Sequence, residues 1–212
     1  MKAQATVRLK GDAGIAIGPI LFIIAILAIL AAAIAAGSGS FTAGTTNESN
    51  RTKASALIQI GENLKVGMDR MTMENGVAFG AWTINAVNTT NNNDLFSPTG
   101  GGVTAPSATM ANTPGTDVWL YPFGPVPGLG TNNDEQLAVI KISSGVCDEV
   151  NSRANGISTV PSVNSADLGD FTSTNEISGS TLNAWPTALQ GKPIGCVNNQ
   201  GQTYFYQALY IQ

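Results

Sequence analysis

Three hydrophobicity patterns follow one another along the chain. The first is a block: Ile15–Ala36, IAIGPILFIIAILAILAAAIAA, 22 residues without a charge, inside a wider uncharged interval from Asp12 to Glu48. As a helix it would measure about 33 Å, enough for the hydrocarbon core of a bilayer. The second is a stripe. In Asn50–Glu74, the residues Leu57, Ile60, Leu64, Met68 and Met71 recur at spacings of three and four. Glu48, Arg51, Lys53, Glu62, Lys65, Asp69 and Arg70 supply the polar faces. This predicts an amphipathic helix, with Asn75-Gly76 as its stop. The methionines read as core filler rather than ligands.

The third pattern is β-like and interrupted. Val77–Val87 and Val118–Tyr121 read as short strands, and Pro122–Gly128 breaks the second. Residues 88–134 are rich in Asn, Gly, Pro, Ser and Thr and read as a loop region, the place to look for contacts because loops carry most recognition. Leu137–Ile142 is a β-rich run. Ser144–Asn155 looks helical, with Val146, Val150 and Arg153 on one side and Gly156 as its stop. Pro193–Asn198 and Gln202–Ile211 read as a hairpin around Asn198–Gly201. Together these predict an α+β domain, one helix laid on an antiparallel sheet.

Between block and stripe lies Gly37-Ser38-Gly39-Ser40-Phe41-Thr42-Ala43-Gly44, with three glycines in eight residues. Each weakens a helix by roughly 1 kcal/mol relative to alanine. The junction at 37–46 reads either as a linker or as a helix able to melt.

The stub before the block, MKAQATVRLKGDAG, carries Lys2, Arg8 and Lys10 against Asp12. A secretory signal is the first comparison, but its apolar core is usually about 7–15 residues and ends at a small-residue cut site. Here the run is longer, and Gly14 precedes it. Basic residues ahead of a span predict a cytoplasmic N-terminus with the rest exported.

Charged leader, Gly14, then an unbroken apolar helix resembles a type IV prepilin or the pseudopilins of type II secretion. Ile24-Ala25-Ile26-Leu27-Ala28-Ile29-Leu30-Ala31-Ala32 matches the family's mid-helix register except at Leu27-Ala28, where Ile-Gly is common. The resemblance implies a prepilin peptidase cut between Gly14 and Ile15. It implies a long N-terminal hydrophobic helix packed on an antiparallel sheet domain, with Ile20, Phe22, Ile26 and Leu30 in a filament core. Two positions depart from the pattern. Ile15 stands where Phe or Met is usual. Pro19 stands where a glutamate usually meets a neighbour's N-terminal amine; its missing N–H costs little so near a helix start.

The implied organisation is a cleaved leader at 1–14, a transmembrane and filament-core helix at 15–36, the junction at 37–46, and a head at 47–212. The implied partners are further copies in a helical homopolymer, the prepilin peptidase, the pilus assembly machinery and, before assembly, the bacterial inner membrane. The final location would be an extracellular pilus. Without residues 1–14 the net charge is −6, which argues against nucleic acid. The low charged fraction suits densely packed subunits, which repel little.

Cys147 and Cys196 are the two cysteines. In an exported chain, an even count without CxxC favours a disulfide, and the region they bound resembles the C-terminal disulfide-bounded region of type IV pilins.

Catalysis finds little support. The chain has no histidine, which removes a Ser-His-Asp triad, His-based zinc and His-ligated haem. GxSxG, SxxK and a phosphate loop are absent; Gly191-Lys192 lacks the upstream glycine. Asn92-Asn93-Asp94 and Asn132-Asn133-Asp134-Glu135 offer oxygens but no EF-hand spacing and read as solvated turns. Sequons at Asn47, Asn50 and Asn88 read as chance in a chain rich in Asn and Thr. No catalytic residue, cofactor or metal is expected. The leading expectation is a structural pilin subunit. The alternatives are a minor or tip pilin or pseudopilin, favoured by Pro19, and an uncleaved single-span surface protein or adhesin.

Overall fold

The computed structural model describes residues 17–85, 90–107, 118–124, 126–130, 135–163, 185–199 and 201–211; in the first helix, side chains are described from Leu21 to Ala35 and again from Gly44. The chain divides into two compact units, Met1–Thr46 and Asn47–Gln212. The first long element, α1, is Ile17–Met73, and its backbone is helical through 37–46.

In the first unit, the described side chains Leu21–Ala35 are exposed throughout.

The second unit is a small α+β domain. It holds the C-terminal part of α1, then β1 (Gln136–Ile142), α2 (Ser144–Asn155), a 3-10 turn at Thr187–Leu189, β2 (Ile194–Asn199) and β3 (Gln202–Tyr210). The sheet is antiparallel, in the order β1-β3-β2. Ile140 faces Phe205 in one register and Cys196 faces Phe205 in the other.

Strand alternation sorts the core into two layers. Ala138, Ile140, Ile142, Cys196, Phe205 and Leu209 pack with Ala54, Leu57, Leu64, Met68 and Met71 of α1 and with Val146, Cys147 and Val150 of α2. Leu137, Val139, Val197, Tyr206 and Ala208 point the other way, against Val126, Val163, Trp185 and Leu189. Both faces of the sheet are therefore covered. Two glycines let α1 come close. A Cβ at Gly61 would meet Gln207 Oε1 at 2.9 Å, and one at Gly67 would meet Val103 Cγ1 at 2.9 Å.

Backbone groups on both outer edges of the sheet find partners. On β2, Cys196 N–H donates to Asn151 Oδ1 (2.7 Å), and Asn151 Nδ2 donates to Cys196 O (3.0 Å). One turn along α2, Asn155 Nδ2 donates to Ile194 O at 2.8 Å. Asn198 N–H donates to Pro161 O, and Val163 N–H donates to Asn198 O, each at 2.9 Å. On β1, Leu120 and Val139 exchange both backbone bonds at 2.8 Å, and Leu137 N–H donates to Pro122 O at 2.9 Å. Unpaired strand edges invite other strands; here Leu137, Val139, Cys196 and Asn198 bond to segments outside the sheet.

Several expectations are corrected. The helix at 50–74 is not a separate segment but the end of α1, which stops at Met73. Its stripe does pack on the sheet, from Ala54 to Met71, as the spacing predicts. The described residues of the two short predicted strands, 77–85 and 118–121, form isolated bridges at Thr83 and Leu120 instead of strands; Ala86 and Val87 lie outside the described residues. Among the described residues, no helix is long and apolar enough to cross a membrane. The membrane-spanning filament-core helix at 15–36 and the pilin-like fold built on it therefore do not stand. Neither does a stage in the inner membrane before export to an extracellular pilus.

Candidate functional site

The residues singled out from the sequence do not converge on one place. Gly14 and Ile15 lie outside the described residues. Pro19 and Ile20 belong to the helical backbone of α1, and their side chains lie outside the description. Phe22, Ile26 and Leu30 are exposed, at 67%, 41% and 53%. Cys147 and Cys196 do come together. Both are buried free thiols, hydrogen-bonded side chain to side chain between α2 and β2. Burial pushes the Cys196 thiol well up from its ordinary value, and the Cys147 hydrogen bond and charge and the Asp148 charge add to the rise. The oxidation state of the pair thus decides whether it is a hydrogen bond or a covalent staple.

Asp94 is not a solvated turn residue. It is fully buried, with Oδ1 accepting from Phe96 N–H (2.9 Å) and Oδ2 accepting from Thr83 Oγ1 (3.2 Å). Glu135 is also buried, while Asn132, Asn133 and Asp134 lie outside the described residues. Among the described residues, no group of three or more acidic or thiol side chains is placed to hold a metal ion.

Two cavities lined by described residues stand on the second unit. One, of about 380 Å³, lies between α1 and 103–107, lined by Ile60, Asn63, Leu64, Val66, Val103 and Ala105 among others. The other, of about 200 Å³, is lined by Gly80, Trp82, Ile84, Tyr121, Phe123 and Gln136. Gln136 is committed to the fold there. Its Oε1 accepts from Trp82 Nε1 (3.0 Å), and its Nε2 donates to Tyr121 O (2.8 Å) and Pro122 O (3.1 Å). Phe79, Trp82, Phe123 and Tyr210 stack edge and face around it, with centroids 5.0–6.4 Å apart. The Tyr121 phenol is pushed above its ordinary value by burial. Neither lining, among the described residues, brings a carboxylate, amine or thiol to the cavity.

The feature left is the surface of α1 in the first unit. Leu21, Phe22, Ile23 and Ile24 are consecutive and 55–67% exposed; Leu27, Ile29, Leu30 and Ile34 continue at 53–71%. Consecutive helical residues are about 100° apart, so this apolar surface encircles the helix rather than forming one face. The sequence shows the hydrophobicity, but only the structure shows that these side chains are left bare.

No family model, curated protein or solved structure matches the chain. The type IV pilin, pseudopilin and single-span adhesin readings thus find no relative, and the described helix lacks the span they require. What the fold defines is a small α+β domain with an open three-stranded sheet whose edges are occupied, on a chain that also carries a bare apolar helical stretch.

Proposed function

We propose that the chain is a non-enzymatic interaction protein that self-associates, the stretch Leu21–Ala35 of each copy being covered by the same stretch of others. The exposed apolar surface of that stretch carries the reading. Nine large side chains there are 41–71% exposed. Their apolar area is on the order of 1,000 Å², where the largest patch on an ordinary monomer is roughly 300–600 Å². A stable interface needs about 800 Å² per partner. Burying such a surface is favourable whatever covers it. A second copy is favoured because the surface runs all round the helix. A partner offering one groove would cover one side, whereas like helices can surround each other. The stretch is also uncharged, so copies meet without repulsion. The occupied edges of the sheet weigh against strand addition as the mode of contact.

The test uses the full chain in a mild non-ionic detergent, with Ala28→Cys as a reporter. The expected result is sedimentation above the monomer mass, with disulfide cross-links between the introduced thiols of two copies. Adding Ile26→Asp and Leu30→Asp is expected to abolish those cross-links. A monomer at all concentrations overturns the reading, as does a chain that stays monomeric and partitions only into lipid vesicles.

A further inference from the structure

Both helix ends in the second unit carry the same dipeptide, Asn75-Gly76 beyond α1 and Asn155-Gly156 across the end of α2. The two ends are close copies. Each glycine is left-handed, with φ 65° and 69°. Both glycines are exposed and both asparagines half-buried. The residue after each glycine reaches back six positions, Val77 N–H to Met71 O (3.1 Å) and Ile157 N–H to Asn151 O (3.2 Å). Each asparagine donates its Nδ2 to carbonyls outside its helix. They differ at the glycine N–H. Gly156 N–H donates to Ser152 O at 3.1 Å. Gly76 N–H has no hydrogen-bond partner among the described residues.

We propose that Asn75 is a site of spontaneous deamidation that releases the segment 90–102 from the end of α1. The Gly76 backbone nitrogen attacks Asn75 Cγ, the Cγ–Nδ2 bond breaks, and ammonia leaves with the proton lost by Gly76 nitrogen. Solvent water then adds across one imide C–N bond of the succinimide, leaving aspartate or isoaspartate. Glycine is the residue that hinders this attack least, having no side chain. The nitrogen must also be free to attack. At Gly156 the lone proton is held by Ser152 O; at Gly76 it is not.

The consequence follows from what Asn75 holds. Its Nδ2 lies 3.1 Å from Asn92 O, 3.1 Å from Thr99 O and 3.4 Å from Gly100 O. Conversion replaces that donor with a carboxylate oxygen facing three acceptors, so the contact turns repulsive. The segment it clips contributes Leu95 and Phe96 to the core. A chemical event at an exposed turn therefore reaches a buried layer.

The experiment is incubation of the full chain in mildly alkaline buffer at 37 °C, with peptide mass spectrometry of both Asn-Gly pairs. Conversion at Asn75 is expected to run several-fold faster than at Asn155, and the converted fraction is expected to show faster amide exchange over 90–102. Asn75→Gln is expected to abolish the mass gain in that peptide. Equal rates at the two pairs, a faster rate at Asn155, or conversion at Asn75 with exchange over 90–102 unchanged would each overturn the proposal.

Discussion

Asn151 offers the sharpest test of how the second unit is held together. It sits on α2, fully buried, and completes both backbone groups of Cys196 on the outer edge of β2. Asn151→Leu keeps similar bulk but removes donor and acceptor together. Each backbone group left buried and unpaired costs about 1–3 kcal/mol. Two such groups, less about 1–2 kcal/mol regained from the apolar side chain, leave a net loss of about 3 kcal/mol. That is a large part of a total stability of about 5–15 kcal/mol. Asn151→Asp grades the effect: it keeps an acceptor for Cys196 N–H and turns the contact with Cys196 O repulsive. Urea unfolding of the full chain in detergent reads the loss, since Trp119 and Trp185 are both buried in this unit and report its opening. The midpoint should fall with the denaturant slope unchanged. A loss below about 1 kcal/mol for Asn151→Leu would show that the edge of β2 finds other partners, and would refute the account of a satisfied edge.

Four further outcomes are expected. Gly67→Ala sets a Cβ against Val103 and Leu95 at 2.9–3.0 Å; overpacking of about 1–3 kcal/mol should outweigh a helix gain of about 1 kcal/mol and lower the melting temperature. Gly44→Ala, where a Cβ meets nothing within 4 Å, should instead raise helicity by circular dichroism. With the thiols reduced, stability should be level below about pH 8.5 and fall above it. The Cys196 thiol is raised in the folded state, so the unfolded chain loses its proton first and unfolding is favoured as pH climbs. Burial raises the Tyr206 phenol too, adding a second fall above about pH 10. Mild oxidation should join Cys147 to Cys196, remove the thiol-linked fall and add about 4 kcal/mol for a closed loop of about 49 residues; intact mass and urea midpoints check both, and two persistent free thiols would count against the pairing.

Local signals carried the regular elements of the second unit well. The stripe Leu57–Met71 faces the core because spacing of three and four puts those residues on one side of a helix. Gly156 ends α2 in the left-handed conformation that glycine adopts most easily. The run at 137–142 and the final hairpin became strands because alternation, β-branching and a turn sequence agree there. At 77–85 and 118–121 the same local signals misled, since a short apolar run becomes a strand only where a neighbour supplies a full ladder.

The sequence by itself determined which residues are apolar, where the helices α2 and the end of α1 stop, and that histidine chemistry is excluded, because these depend on residue type and on spacing along a few turns. Only the tertiary structure decided the rest. Asn151 and Asn155 bond to the edge of β2 across 45 and 39 residues of sequence, Asp94 is buried instead of wet, and among the described residues Gly76 N–H finds no partner where Gly156 N–H does. The physical reason is that hydrogen-bond satisfaction and exposure are properties of what folds against a residue, and distant segments leave no mark on local pattern.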